Sequence, residues 1–243
     1  MKRTITLILL LTLALSATAL ATESDPSETV GFVTIDSPTN SWTMLALPFD
    51  VDGDMVSSVF SDGSGNPYIT GGVNPVLSDQ IQEVGGSVAW YNSNTSTWMG
   101  DFAVDVSKAY YVVIRNGHPA TDIYLCGTVD NTTPVNYDPI PGNAWTAIGY
   151  REAGEVLVGN LGLIAAGFTG GVNPVQSDQI QEVGGSVAWY NSGSSTWMPA
   201  TFVIQPGKAY YLVIRNGHAG LPTYSYPSGP KQLKHEKVNI INN

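Results

Sequence analysis

The side chains able to do chemistry form a few sets, and most occur twice. Aromatic rings dominate: Trp90, Tyr91, Trp98, Tyr110 and Tyr111 recur as Trp189, Tyr190, Trp197, Tyr210 and Tyr211. An exposed row of such rings would stack on sugars, which makes Trp90, Tyr91, Trp98, Trp189, Tyr190 and Trp197 the candidate ligand-binding residues. Core packing is the competing expectation, and in each adjacent pair one ring points in and the other out, because strand side chains alternate faces. Trp98 and Trp197, each between a polar hairpin tip and a Met, are expected to be mostly buried. His118 and His218 each follow an Asn-Gly pair, where hairpin geometry accounts for them as well as a duplicated site would. Asp79 with Glu83, and Asp178 with Glu182, have the makings of an acid–base pair. An Asp between Ser and Gln-Ile equally suits a side chain that satisfies backbone donors in a turn.

Asp50, Asp52 and Asp54, in the run FDVDGD, place carboxylates at alternate positions, as at the start of a calcium loop. The rest of that pattern is missing. Gly53 stands at the fourth place rather than the sixth, the twelfth place holds no Glu, and the second copy reads REAGE. The expectation is a solvated turn and no metal site, with calcium the only cofactor candidate. No Gly-x-Ser-x-Gly elbow, His-Glu-x-x-His pair or phosphate loop is present, so the sequence reads as that of a non-enzyme.

Repetition is the strongest feature of the chain. Residues 70–93 recur at 169–192 with one change, Leu77 against Gln176, and both copies continue to Thr-Trp-Met. The match resumes at Lys108-Ala109-Tyr110-Tyr111 and Lys208-Ala209-Tyr210-Tyr211, then at Ile114 to His118 and Ile214 to His218. Upstream, Trp42-Thr43 pairs with Trp145-Thr146 at a spacing of 103, so the first copy holds extra residues, placed most simply in the Gly/Ser/Asn/Pro cluster at 61–68. The division that follows is a leader at 1–21, one module at 30–130, a second at 135–230 and a tail at 231–243. The joint falls in the Pro-rich stretch 130–142.

The elements that position these side chains read as short strands. In residues 42–49, Thr43, Leu45, Leu47 and Phe49 share one face while Trp42, Met44 and Ala46 share the other; Thr146, Ile148 and Tyr150 repeat the first face. That face is expected to look into the core. A hairpin is expected at 92–97, and the apolar run 110–114 ends at Asn116-Gly117 before a further strand. Residues 55–60 and 155–165 are the only helical candidates, the second interrupted by Gly159 and Gly162. The fold class is all-β or mainly β: two tandem, pseudo-symmetric β-sandwich or barrel-like modules with at most one short helix each.

Lys2 and Arg3 precede an apolar run at 5–15, and Ala19-Leu20-Ala21 supplies a small-x-small cleavage site, so export and a mature start at Thr22 are expected. Losing the leader takes the formal charge from −10 to −12. Such acidity without basic clusters excludes nucleic acid as a partner. Cys126 is the only cysteine, so stability comes from burial rather than disulfides.

Together, Trp42 to Pro48, Ser78-Asp79-Gln80-Ile81, Ala89-Trp90-Tyr91, a lone Trp98, Pro206 to Tyr211 and a closing Gly127-Thr128-Val129 form a spaced pattern. It resembles the tandem β-rich repeat modules of exported, poorly characterised bacterial surface proteins. Two places depart from it: Val106-Ser107 replaces Pro-Gly in the first copy, and Tyr226-Pro227 replaces the Gly-x-Val ending in the second. The resemblance implies a secreted or cell-surface module without enzymatic activity, serving adhesion, envelope structure or display. Its partners would be surface polysaccharide or other envelope proteins. A carbohydrate-binding module using exposed aromatics is the alternative, and a glycoside hydrolase the least favoured reading.

Overall fold

The computed structural model describes residues 30–129, 134–151 and 154–226; the expected leader, its cleavage site and the tail at 231–243 lie outside the described residues. The chain is mainly β. Its first half runs β1 (Val30–Ser37), β2 (Trp42–Leu45), a single turn α1 (Val56–Val59), β3 (Gln80–Glu83), β4 (Val88–Asn92), β5 (Thr97–Met99), β6 (Tyr110–Val113) and β7 (Thr121–Thr128). The second half runs β8 (Val135–Tyr137), β9 (Ala144–Gly149), β10 (Val156–Leu157), α2 (Leu163–Ala166), β11 (Gln179–Glu182), β12 (Val187–Asn191), β13 (Thr196–Met198), β14 (Val203–Ile204), β15 (Ala209–Ile214) and β16 (Tyr224–Tyr226).

Two antiparallel five-stranded sheets have the same order, β2-β6-β3-β4-β5 and β9-β15-β11-β12-β13. Their registers repeat: Trp42 lies opposite Val113 and Trp145 opposite Val213, while Gln80 faces Trp90 and Gln179 faces Trp189. The duplicated sequence thus builds the same ladder twice. Each half adds a ribbon, β1 with β7 and β8 with β16.

Alternation decides which face of each sheet is buried. Leu45, Ile81, Ala89, Tyr110 and Val112 are inaccessible on the inner face of the first sheet, as are Ile180, Ala188 and Leu212 in the second. The ribbons add Ile35, Ile123 and Leu125, or Tyr137, Tyr224 and Tyr226, to this core. Gly31 and Gly127 stand opposite each other in β1 and β7, where Phe49 packs against the ribbon. A methyl group on Gly31 would lie 2.3 Å from the Phe49 ring, so only glycine lets strand and ring approach this closely.

Two expectations need correction. The stretch 155–165 is not one helix: β10, a 3-10 turn at Val158–Asn160 and α2 divide it, with Gly162 at φ +70° just before α2. Asn116-Gly117 closes no hairpin, because β6 and β7 do not pair; the turn carries the chain from sheet to ribbon. Trp98 and Trp197 are both mostly buried, as expected, Trp197 the more completely of the two.

Candidate functional site

The outer face of each sheet carries what the inner face excludes. One rung of the first sheet reads Trp42, Val113, Gln80, Trp90, Met99; its counterpart reads Trp145, Val213, Gln179, Trp189, Met198. Aromatic rings therefore stand on β2 and β4 with an amide between them. Trp42 and Trp145 are the most open rings of this face, at 59% and 61% exposure. Trp90 and Trp189 are half-buried.

The two faces meet at the joint between the halves. Ala46 N–H donates to Gly207 O (2.9 Å) and Gly149 N–H donates to Ser107 O (3.0 Å). Ala46 follows β2 and Gly149, at the corresponding place, ends β9; Ser107 and Gly207 also correspond, so the two bonds are one contact made twice. That reciprocity is the mark of an isologous, two-fold interface, here within a single chain. Ala46, Ala109 and Ala209 pack together beside it. The Tyr111 and Tyr211 hydroxyls, at corresponding positions, bond each other at 3.1 Å. This bond, with a smaller contribution from burial, pushes the Tyr111 hydroxyl up to about 12. Each tyrosine meets its own tryptophan edge-on, Trp42–Tyr111 at 5.5 Å and Trp145–Tyr211 at 5.9 Å. The result is a chain of four rings, Trp42–Tyr111–Tyr211–Trp145, running across the joint. Only one Tyr proton is used in the shared bond, so the other remains available to an incoming acceptor.

The six rings singled out in the sequence divide. Trp90 and Trp189 lie on the outer face. Tyr91 and Tyr190 are half-buried on the inner face, where Trp98 and Trp197 lie opposite them edge-on at 6.0 and 5.8 Å. Trp197 is buried and also packs on Phe168. Tyr91, Tyr190, Trp98 and Trp197 thus belong to the edge of the core. Trp42, Trp145, Tyr111 and Tyr211 were missed as site residues, although the parity of residues 42–49 already put Trp42 on the face opposite Leu45 and Leu47.

The duplicated carboxylates are structural clamps. Asp79 is buried; its Oδ2 accepts from Thr70 N–H (2.9 Å), and its Oδ1 accepts from Arg115 N–H (2.8 Å) and lies 2.7 Å from His118 Nδ1. Asp178 repeats this with Thr169, Arg215 and His218 at 2.7, 2.8 and 2.7 Å. Each clamp ties the loop before the central strand to the turn after β6 or β15, which is why that turn leaves the sheet. Asp79 and Glu83 stand four positions apart along an extended segment, about 13 Å, beyond the separation of about 5–9.5 Å at which two carboxyls flank a glycosidic bond.

Asp50, Asp52 and Asp54 do not converge. Asp50 meets Arg151 of the second half at 3.3 Å, Asp52 accepts from Val106 N–H, and the Asp54 carbonyl accepts from Val104 N–H. Among the described residues no three His, Cys, Asp or Glu side chains gather to hold a metal ion, and no helix is long and apolar enough to cross a membrane. No protein-family model matches the chain, and no match was found among curated proteins or solved structures.

Proposed function

We propose that the chain is a non-enzymatic, exported recognition module that serves adhesion at a cell surface by binding glycan through its outer aromatic face. The observation that carries this reading is the pair of open tryptophans, Trp42 and Trp145, set at corresponding places around the Tyr111–Tyr211 bond. A core residue is buried; an indole left open on an otherwise well-packed sheet offers a flat apolar face with a polar N–H, which suits the C–H face and hydroxyls of a sugar. Gln82 and Gln181, half-buried, add amide groups to the same face, whereas Gln80 and Gln179 are buried and donate to Pro75 O and Pro174 O. The leader-like start and the resemblance to exported repeat modules support an extracellular setting. The acidity argues against polyanionic ligands.

The test is a glycan-array screen of the intact secreted chain, repeated with Trp42→Ala/Trp145→Ala. Binding of the wild type to uncharged glycans, lost in the double variant, is the expected outcome. A chain that binds no glycan but self-assembles would instead favour a structural or display role in the envelope.

A further inference from the structure

The pseudo-two-fold arrangement is broken at one place beside the open tryptophans. Lys108 crosses the joint to pair with Asp138 of the second half. Its counterpart, Lys208, stays within its own half and pairs with Glu182. The two sides of the joint are therefore built differently. On the Trp145 side a lysine–carboxylate pair spans the halves. On the Trp42 side lies a groove of about 420 Å³, bounded by Thr34, Asp36, Trp42 and Thr43 of the first half and by Glu182 and Lys208 of the second. Its volume falls in the range of small-ligand clefts, about 300–1,000 Å³, and a boundary between modules is a usual place for one.

The lining has a definite chemistry. Trp42 supplies an open indole at the mouth. Thr34 and Thr43 bring hydroxyls, which both donate and accept. Asp36, exposed and without an ion-pair partner among the described residues, brings acceptor oxygens, and the Lys208–Glu182 pair brings both donor and acceptor. An apolar face beside several groups of mixed polarity is what a sugar ring satisfies, with C–H bonds on one side and hydroxyls around the rim. Two carboxylates against one ammonium leave the groove net negative, which disfavours acidic sugars.

We infer that the groove beside Trp42 is a single binding site for an uncharged sugar unit of a polysaccharide, with Trp42 as the stacking ring and Asp36 as an acceptor for its hydroxyls. This rests on the glycan-binding reading and goes beyond it: the duplicated chain holds one principal site, not two equivalent ones.

The experiment is affinity electrophoresis of the intact chain in native gels containing hydroxyethylcellulose, laminarin or galactomannan, with alginate as the charged comparison. The wild type is expected to be retarded by at least one uncharged polymer and not by alginate. Trp42→Ala is expected to weaken that retardation by about tenfold, Asp36→Asn by several-fold, and Trp145→Ala by no more than about twofold. Trp42 is open to solvent, so its removal should leave the melting temperature in place; should it not, Asp36→Asn decides the matter. Equal losses from Trp42→Ala and Trp145→Ala, or no loss from Asp36→Asn, would overturn the single groove and leave glycan binding intact. Retardation by alginate alone would overturn the uncharged-sugar assignment. A wild type retarded by none of the polymers would overturn the glycan-binding reading and the groove with it.

Discussion

Replacing Asp79 with Ala should damage the first half of the molecule far more than replacing the histidine it holds. The carboxylate is buried and accepts from two backbone N–H groups, those of Thr70 and Arg115, besides its contact with His118 Nδ1. Alanine would leave both N–H groups without an acceptor. An orphaned buried donor costs about 1–3 kcal/mol, so Asp79→Ala should cost about 2–6 kcal/mol. That is a large share of a typical stability of about 5–15 kcal/mol. Asp79→Asn keeps one carbonyl oxygen but turns an NH₂ toward one donor, so its cost should be roughly half as large. His118→Ala leaves both N–H groups satisfied by the carboxylate and should cost no more than about 1.5 kcal/mol. Urea unfolding followed by tryptophan fluorescence reads the series. With a slope of about 1–3 kcal/mol per M, the midpoint should fall by about 1 M or more for Asp79→Ala. Asp178→Ala and His218→Ala should repeat the pattern in the second half. An Asp79→Ala midpoint indistinguishable from wild type, or a His118→Ala loss as large as the Asp79→Ala loss, would refute the clamp.

Gly149 sits at the joint, where an added Cβ would lie 2.4 Å from Lys108 O and 3.1 Å from the Ala46 methyl. Gly149→Ala should therefore cost about 1–3 kcal/mol by calorimetry, whereas the same change at Gly85, beside open space, meets only the strain of its positive φ. Burial raises the hydroxyls of Tyr110, Tyr150 and Tyr224 above their ordinary value of 10 and brings Tyr210 to about 12; Tyr111, held chiefly by its bond to Tyr211, also reaches about 12. Groups that hold their protons more tightly when folded contribute stability that is complete below pH 10 and lost as pH rises through about 12. The melting temperature should accordingly stay level as pH approaches 10 and fall steeply between about 10 and 12. Trp197→Ala should cost about 3–5 kcal/mol, the half-buried Trp98→Ala less, and the open Trp42→Ala within about 0.5 kcal/mol of nothing. Chelator should leave the melting temperature unchanged, because no three acidic side chains gather to hold a cation among the described residues.

The repeat carried most of what the sequence could reveal about the fold. Identical segments must make the same ladder when each has its own partners, and parity along residues 42–49 and 144–150 set which side chains face the core. The Asn116-Gly117 turn misled because its conformation is local while its direction is not. Gly117 does adopt φ +87°, but Asp79, far back in the chain, pins Arg115 and His118 and sends the strand to the ribbon. The aromatic chain was half legible. Adjacent Tyr110 and Tyr111 had to point to opposite faces, yet nothing local says that the outward Tyr111 meets its own copy across a joint. The groove was not legible at all. Lys108 and Lys208 sit in the same Lys-Ala-Tyr-Tyr context, and only the three-dimensional placement of Asp138 separates their roles.

Fluorine NMR of the intact chain labelled with 5-fluorotryptophan addresses glycan recognition most directly, since each of the six tryptophans gives its own resonance. Titration with soluble laminarin or galactomannan fragments should shift the Trp42 resonance most, move Trp145 less, and leave Trp98 and Trp197 where they are. Shifts centred on Trp98 and Trp197, or saturating fragment with no shift at any tryptophan, would contradict recognition through the outer aromatic face.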